Sequence, residues 1–300
     1  EPFQPARNDD SDESLGDFVR RRLGEEALDK FIGPVLGGIY NTDPNIQSIM
    51  VSSPVMREME KESGSLFRAA FQRMHSRKNG HTGSKPPRFI TYKQGLQGIV
   101  DNLVNNLHGD LRLKTRVRFI IQDEIGYQIW TSNGEMVQAD AIILATLANV
   151  ATELLKDISD KASEMLARIR HNHIRTISFV YRKSDIPKGL DINGLMIPRR
   201  EKRAIDAVTF TSKKIPQRFS PGYVVLRVFI GGGKPEVVEY DDEALIDTVR
   251  HELLDLLQIS ALPVAHKIFR WQNGFPQAEV GHLSLIDEKN HQGRIPRRRH

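Results

Sequence analysis

The chain has 300 residues, of which 39% are hydrophobic, 27% charged and 7% aromatic, and it contains no cysteine. This composition excludes a collagen-like, low-complexity or wholly disordered chain, and the lack of cysteine excludes disulfides, thiolate metal sites and a cysteine nucleophile. The formal net charge is +5, but five basic residues follow position 288 without any acid, so the rest of the chain is neutral and nucleic-acid binding is not indicated.

The length predicts two domains, at about 150 residues each, with enough chain to bury a core. The longest apolar runs, such as residues 141–145, have the length of a strand, far short of the roughly 18 residues that span a membrane. The chain begins at Glu1 with neither an initiator Met nor a signal-peptide pattern. We therefore expect an internal piece of a longer protein.

The first part of the chain is predicted to be helical. Residues 1–13 are polar and are expected to form a linker, and Ser14 stands where it would cap the first helix. Apolar residues at helical spacing then predict helices at residues 15–23, 28–36 and 54–74. Gly33-Pro34 is expected to kink the second helix, and a polar loop at residues 76–87 ends this part.

The remainder mixes strands with helices. Strands are predicted at residues 89–92, 111–121, 127–131, 136–139, 140–145, 174–182, 194–198, 204–210, 222–230 and 264–270, and helices at residues 96–107, 148–156, 160–170 and 242–258. The segment 140–145 is almost wholly apolar, which is typical of a strand buried on both faces. The pattern as a whole indicates an α+β fold.

The residues contain no self-contained catalytic or metal-binding motif. His171 and His173 lack the third ligand that a metal site needs, so we predict no metal. Residues 231–234 read GGGK, but Pro235 stands where a phosphate loop has Ser or Thr, and a GxGxxG fingerprint is absent. The basic runs at 20–22 and 112–118 are expected on solvated faces.

A set of short segments carries a family resemblance. The segments are residues 13–24 (ESLGDFVRRRLG), 36–44 (LGGIYNTDP), 64–66 (GSL), 95–96 (GL), 197–201 (IPRRE), 229–232 (FIGG), 270–271 (RW), 275–277 (FPQ) and 280–282 (VGH). In this order the chain resembles the oxygen-dependent protoporphyrinogen oxidases and their coproporphyrinogen-oxidising relatives, which are FAD enzymes of haem biosynthesis. The resemblance covers roughly residues 13–286.

This resemblance implies parts of the FAD fold of p-hydroxybenzoate hydroxylase and the amine oxidases, with a mixed substrate sheet, part of a Rossmann-like FAD domain and a helical insert. It assigns residues 1–13 to a linker, 14–88 to the helical membrane- and substrate-binding insert, 89–160 to a partial FAD-binding domain, 161–270 to the substrate-binding sheet, 271–287 to a return to the FAD domain and 288–300 to an atypical basic tail. The family's N-terminal GxGxxG unit and C-terminal FAD segment lie outside this chain. Gln94, Leu147 and Ala278 stand where the family usually has glycine, proline and tyrosine.

The resemblance also implies candidate site residues. Val117 matches a position whose backbone contacts the FAD adenine, and Trp271 matches a tryptophan near the flavin. The substrate-cavity positions of the family are matched by Gly38, Gly194, Met196 and Phe229. No catalytic side chain is implied, since the flavin carries the chemistry. An ordinary structural role, as a core residue or a helix-ending glycine, is the competing interpretation for each position.

We therefore expect a partial enzyme for the FAD-dependent oxidation of a porphyrinogen, protoporphyrinogen IX or coproporphyrinogen III, to the porphyrin with O2 as acceptor. FAD is expected to bind non-covalently, and weakly or not at all to the isolated chain, which is then inactive. We expect a cytoplasmic protein, with peripheral attachment to the cytoplasmic face of the membrane and a homodimer as open options.

Two alternatives remain open at this point. The first is another oxidase or desaturase of the FAD amine oxidase type, against which residues 36–40 and 197–199 argue. The second is a non-catalytic module that binds a tetrapyrrole or a membrane. Porphyrin binding without any dependence on flavin would identify this second alternative.

Overall fold

The computed structural model describes residues 1–7, 9–35, 41–78, 90–232 and 234–292. The chain forms two compact units, one made of Glu1–Ala69 and Leu144–His300 and the other of Ala70–Ile143. Helices and strands occur in both units, so the predicted α+β class is confirmed.

Most of the predicted helices are present. The α-helices are Leu15–Leu23, Glu25–Ala27, Ile49–Ser52, Pro54–Ser63, Leu66–Lys78, Gln97–Asn105, Ala148–Leu155, Asp160–Ala167, Thr211–Lys214, Asp242–Leu257 and His282–Gln292. A π-helical turn occupies Leu28–Ile32, and 3-10 turns occupy Lys183–Asp185, Arg199–Glu201, Pro216–Arg218 and Pro235–Glu239. Gly33 directly follows the π turn and keeps helical backbone angles (φ −58°, ψ −53°), so the kink or restart at Gly33-Pro34 stays a prediction.

The first helix begins as the cap predicts. Ser14 Oγ accepts a hydrogen bond from the Asp17 backbone N–H at 3.0 Å and donates one to Asp17 Oδ2 at 2.8 Å. Leu15, Phe18 and Val19 are fully buried because the apolar residues of a helix recur on one face. The cap fixes where the helix starts, and the buried face fixes which side of the helix points into the core.

The same helix corrects one expectation about charge. Arg22 was expected on a solvated face, yet it is only 2% exposed. Its guanidinium donates to Gln4 O at 2.9 Å, to Gly64 O at 2.8 Å and, through Nε, to Glu1 Oε1 at 3.0 Å. Residues 1–7 and 9–13 contain no helix or strand, but these bonds tie their first part to the helical region.

A second buried charge lies beside it. The fully buried Glu60 accepts hydrogen bonds from Arg21 Nη1 at 2.5 Å, from the Arg7 backbone N–H at 3.2 Å and from Arg57 Nη1. Burial raises the pKa of Glu60, but the bonds from Arg21, the Arg7 backbone and Arg57 outweigh it, so the pKa lies below its ordinary value of 4.5. We call Glu1, Arg21, Arg22, Arg57 and Glu60 the buried charge cluster.

The larger sheet contains the five strands β4 (His171–Arg182), β5 (Gly194–Met196), β6 (Ala207–Phe210), β7 (Tyr223–Ile230) and β8 (Ala265–Pro276). These strands are antiparallel and lie in the order β5-β6-β7-β4-β8 across the sheet. Alternate residues of β4, including Ile177 and Phe179, belong to one buried core with Leu245, Val249 and Leu253 of helix Asp242–Leu257. This helix therefore covers one face of the sheet.

The smaller sheet, in the second unit, has the strand order β1-β2-β3. Its strands are β1 (Val117–Gln122), β2 (Tyr127–Thr131) and β3 (Met136–Ala139). The prediction of a strand at 140–145 is wrong: this segment belongs to no strand, and Ile143 is 94% exposed. A strand needs a hydrogen-bonded neighbour as well as an apolar sequence, and the segment has none among the described residues.

The buried charge cluster yields a stability prediction. Glu60→Gln removes the negative charge that balances Arg21 and Arg57, so we expect the free energy of unfolding to fall by about 3–5 kcal/mol. Urea unfolding followed by circular dichroism measures this loss. Glu58→Gln, an exposed carboxylate on the same helix, is the matched control and should change the free energy by about 0.5 kcal/mol or less.

The depressed pKa of Glu60 adds a pH dependence to the same experiment. A carboxyl group with a lower pKa in the folded than in the unfolded state stabilises the fold above its ordinary value, here 4.5, and this contribution is lost as the pH falls further. The unfolding free energy of the parent chain should therefore decline more steeply below pH 4.5 than that of Glu60→Gln. Parallel pH profiles would contradict a charged Glu60 in the native state.

Candidate functional site

The five-stranded sheet has a second face, opposite helix Asp242–Leu257, which we call the open face. Side chains alternate between the two faces along a strand, so residues two apart on β4, such as Ile174, Thr176 and Ser178, all lie on the open face. Directly paired residues of neighbouring antiparallel strands share a face. The strand register therefore identifies every residue of the open face.

One line of paired residues crosses the whole open face. Met196 pairs with Ala207, Ala207 with Phe229, Phe229 with Thr176, and Thr176 with Phe269. Met196 is 44% exposed and Phe269 41% exposed, whereas the small side chains between them are buried. We call these five residues the apolar row.

Trp271 extends this apolar surface. It pairs with Ile174, two residues before Thr176 on β4, and its indole is 52% exposed. Exposed aromatic and thioether side chains on one sheet face are unusual, because large apolar side chains are ordinarily buried. The open face thus offers a flat apolar surface to a ligand.

Three of the four substrate positions that the resemblance implies, Gly194, Met196 and Phe229, lie together on the open face. Trp271, the implied neighbour of the flavin, lies on the same face. Gly194 pairs with Thr209, in the line next to Met196 and Phe229. A Cβ at Gly194 would lie 2.5 Å from the Val208 carbonyl oxygen, so contact between strands already requires a glycine there. Gly38 lies outside the described residues.

Val117 lies in the other unit. It is the first residue of β1, pairs with Thr131 and is half-buried. A strand irregularity follows between Val117 and Phe119, and such irregularities locally bend a strand. This position remains a prediction for the adenine contact.

Residue-by-residue reasoning missed Phe269. Its only sequence clue is the spacing of two residues between Phe269 and Trp271 in a predicted strand, which places both on one face. The partner strand could not be known from the sequence, so neither could the neighbours of Phe269 across the sheet.

A polar cleft of about 300 Å³ lies where β4 begins and where β7 and β8 end. Its lining includes Arg170, His171, Arg199, Gly232 and Gln277. Gln277 is 2% exposed, and neither its Oε1 nor the buried His171 Nε2 has a hydrogen-bond partner among the described residues. These two atoms suit a polar ligand or an ordered water.

Two glycines shape the wall of this cleft. The Gly232 backbone N–H donates to Asp206 Oδ2 at 2.8 Å, and a Cβ on Gly232 would lie 2.9 Å from Asn41 Oδ1. Gly231 has a φ of +141°, and a Cβ there would lie 2.7 Å from the His173 carbonyl oxygen. The family-like FIGG segment therefore allows the buried Asn41 to pack against the end of β7.

The described residues contain neither a metal site nor a helix that could span a membrane. Within the described ranges, no group of three His, Asp or Glu side chains is arranged to hold a metal ion. The helices of the same ranges are all too short or too polar to cross a membrane.

Comparison with known proteins places the chain among flavoenzymes. Residues 3–294 match the family described as flavin containing amine oxidoreductase. Coproporphyrinogen III oxidase from Bacillus subtilis is 28% identical across 95% of this chain and 61% of its own length. Chloroplastic protoporphyrinogen oxidase 1 of Arabidopsis thaliana is 25% identical across 95% of this chain and 56% of its own length.

Solved structures agree with the fold. The crystal structure of a candidate protoporphyrinogen oxidase from Exiguobacterium superimposes with a TM-score of 0.79 at 26% identity, covering 94% of this chain and 59% of that one. Putrescine oxidase bound to putrescine matches with a TM-score of 0.60 at 16% identity over 95% of this chain and 60% of its own, which shows the fold alone. The chain thus spans about 60% of the length of the relatives it matches.

The cleft wall yields a prediction that needs no ligand. In Gly232→Ala the new methyl group would collide with the side chains of Asn41 and Asp206, and we expect the free energy of unfolding to fall by about 1–3 kcal/mol, as for other overpacked sites. Chemical denaturation measures it. Gly222→Ala is the control because a Cβ there meets no atom within 4 Å; equal effects of the two substitutions would contradict the close packing.

Proposed function

The chain belongs to the flavin containing amine oxidoreductase family, and from this premise we propose that it is part of an enzyme that oxidises a porphyrinogen to the porphyrin. The substrate is protoporphyrinogen IX or coproporphyrinogen III, the electron acceptor is O2 by way of FAD, and the pathway is haem biosynthesis. The single structural observation that carries the proposal is the apolar row on the open face, with Met196 and Phe269 exposed at its ends and the exposed Trp271 beside it.

A tetrapyrrole suits that surface. Its macrocycle is broad and apolar at the centre and carries carboxylates at the rim, and ligand sites are mostly apolar with a few placed polar groups. In the proposed complex Met196 and Phe229 contact the macrocycle. Gly194 has no side chain and therefore leaves room for the macrocycle beside them. Trp271, at the end of the apolar surface nearest the cleft, is the proposed neighbour of the flavin.

Flavin chemistry explains why no acid or base is needed from the chain. When bound, FAD would supply the acceptor for a hydride from a bridging carbon of the substrate, and the chain's own residues would orient the two rings and exclude water. The half-exposed Trp271 and Phe269 rings fit an aromatic ring system. We therefore assign apolar contact to these residues and assign no catalytic side chain.

The pyrophosphate of FAD needs a binding site of its own. A pyrophosphate usually rests on a helix N-terminus approached through glycines, but helix Gln97–Asn105 has Leu96 at its cap position and no side-chain cap. A Cβ on Gly98 would meet only the Gln94 side chain, at 3.9 Å, so no contact with the described residues requires a glycine there. We propose that FAD is held non-covalently and that its pyrophosphate is bound by residues other than these 300, with Val117 at the adenine.

The second unit exposes apolar side chains, which agrees with the proposal that only part of the FAD site lies in this chain. Leu96 and Leu103 on or beside helix Gln97–Asn105 are 67% and 66% exposed, and Ile143 is 94% exposed. Such surface is ordinarily covered by further chain. This supports our proposal that residues 89–160 are only part of an FAD-binding domain, beside a helical insert at 14–88, a substrate sheet at 161–270 and a returning segment at 271–287.

Peripheral membrane attachment is the remaining part of the proposal. Helix Leu66–Lys78 exposes Phe67, Phe71 and Met74, at 60%, 61% and 60%, and these residues are four and three apart, on one side of the helix. An apolar stripe on a helix with Arg68 and Arg73 suits the interface of an anionic membrane. We propose that the enzyme attaches to the cytoplasmic face of a membrane through this stripe.

Tetrapyrrole binding tests the substrate class. In Trp130→Phe, Trp271 is the only tryptophan, and we expect its fluorescence to be quenched when coproporphyrin III is added. Adding Phe229→Ala to this background should weaken binding about tenfold, since a buried phenyl ring contributes roughly 1.5–3 kcal/mol. Phe3→Ala, at a 95% exposed phenylalanine outside the sheet, is the control.

Turnover tests the reaction. A chain completed with the segments that the relatives carry outside the matched region should, with FAD, form fluorescent porphyrin from coproporphyrinogen III or protoporphyrinogen IX and leave putrescine unoxidised. Turnover of the amine but of neither porphyrinogen would replace the proposed function by that of an amine oxidase. Porphyrin binding without turnover in the completed chain would indicate a non-catalytic binding module.

Vesicle binding tests the membrane contact. We expect the chain to co-sediment with vesicles of anionic phospholipid and to lose most of that binding in Phe71→Asp, because a charge in the apolar stripe opposes insertion. Phe3→Asp is the matched control, since Phe3 is exposed outside any helix. If both variants bind as the parent does, the helix is not the membrane contact.

A further inference from the structure

A second line of paired residues crosses the open face beside the apolar row. Gly194 pairs with Thr209, Thr209 with Arg227, Arg227 with Ser178, and Ser178 with Lys267. Each member lies two residues along its strand from a member of the apolar row, which is about 6–7 Å at the rise of a strand. We call this line the basic row.

The cations of the basic row have no negative partners. Arg227 and Lys267 are both exposed, and within the described ranges neither forms an ion pair or a hydrogen bond through its side chain. A third cation joins them, because Lys214 Nζ lies 3.5 Å from Thr209 Oγ1. Other arginines of the sheet region, such as the half-buried Arg203 and the exposed Arg270, are paired with carboxylates.

No Asp or Glu elsewhere on the open face could serve as a negative partner of these cations. The residues paired across it on β4, β5, β6, β7 and β8 are Ile174, Thr176, Ser178, Val180, Arg182, Gly194, Met196, Ala207, Thr209, Tyr223, Val225, Arg227, Phe229, Ala265, Lys267, Phe269 and Trp271. None is Asp or Glu. Because clustered like charges repel, an uncompensated group of cations on one face favours an anionic ligand.

The two rows together describe the shape and charge of that ligand. The apolar row suits a flat macrocycle, and Arg227 and Lys267 stand two strands apart, about 9–10 Å at the spacing of paired strands. Long basic side chains at this separation can each hold a different carboxylate at one edge of the ring. The ligand must therefore carry at least two carboxylates along the edge that faces the basic row.

We infer that the basic row binds two rim carboxylates of the tetrapyrrole and thereby orients the ring on the open face. This inference rests on the proposed function and adds to it the residues that hold the carboxylates. Arg227 and Lys267 bind one carboxylate each, and Lys214 strengthens the positive field from the edge of the sheet. The flavin-facing part of the ring then lies toward Trp271, away from these cations.

Two porphyrins that differ in their carboxylates test the inference. Coproporphyrin III has four charged propionates, whereas in its tetramethyl ester the same groups are uncharged. In the Trp130→Phe background, quenching of Trp271 gives the dissociation constant for each. We expect Arg227→Gln and Lys267→Gln each to raise that of coproporphyrin III about fivefold and the double variant about twentyfold, with little effect on that of the ester.

Matched variants separate charge from a disturbed fold. Lys188→Gln removes an exposed lysine in the loop before β5 and should leave both affinities unchanged, whereas Arg227→Lys keeps the charge and should restore most of the coproporphyrin III affinity. Raising the salt concentration should weaken coproporphyrin III binding to the parent more than to the double variant, since salt screens exposed charges.

The outcomes distinguish this inference from the proposed function. If neither porphyrin quenches Trp271, both the substrate class and the role of the basic row are wrong. If both porphyrins bind but Arg227→Gln and Lys267→Gln behave as Lys188→Gln does, the tetrapyrrole site stands and the basic row has no part in it. Equal losses for coproporphyrin III and its ester would overturn the binding of carboxylates by the basic row.

Discussion

The hydrogen-bonded register of β4 between β7 and β8 is the constraint on which the rest of the larger unit depends. Because side chains alternate along each strand, this one register decides which residues meet helix Asp242–Leu257 and which form the open face. A slip of one residue would move Ile177 and Phe179 out of the core and Thr176 and Ser178 into it. The buried side therefore holds the open side in place, although the open side contributes little to stability.

Charge has opposite roles in the two parts of this unit. In the buried charge cluster every carboxylate has an arginine partner. Burial raises the pKa of each, but hydrogen bonds outweigh it: those from Ser65, the Leu66 backbone and Arg22 lower the pKa of Glu1, and those from Arg21, the Arg7 backbone and Arg57 lower that of Glu60. On the open face the cations face solvent without a carboxylate partner among the described residues. The first arrangement is typical of structural charges, which must be neutralised where water is excluded. The second leaves charge available to a ligand.

Sequence reasoning succeeded where short-range pattern decides the structure. The Ser14 cap, helix Asp242–Leu257 and strand Tyr223–Ile230 lie within a residue or two of their predicted positions, because caps and apolar periodicity act over a few neighbouring residues. The family resemblance supplied Gly194, Met196, Phe229 and Trp271 as candidates, and the fold brings them to one face. Their contacts with substrate or flavin remain proposals.

The main failures involve partners that are distant in the sequence. The partners of Arg22, Glu1 and Gly64, lie 21 and 42 residues away, and the apolar segment 140–145 has no neighbouring strand among the described residues. Phe269, Arg227 and Lys267 could not be recognised as candidate site residues, since the case for each depends on the residues opposite it in the sheet.

The sequence by itself determined the α+β class, most helices and strands, the alternation of faces along each strand and the resemblance to porphyrinogen oxidases. These properties follow from local periodicity, caps and short motifs, which a chain carries wherever it is placed. Only the tertiary structure decided which charges are buried, which strands are neighbours and which alternate face stays open. Those outcomes depend on hydrogen-bond register and packing between segments far apart in the chain, which no local pattern specifies.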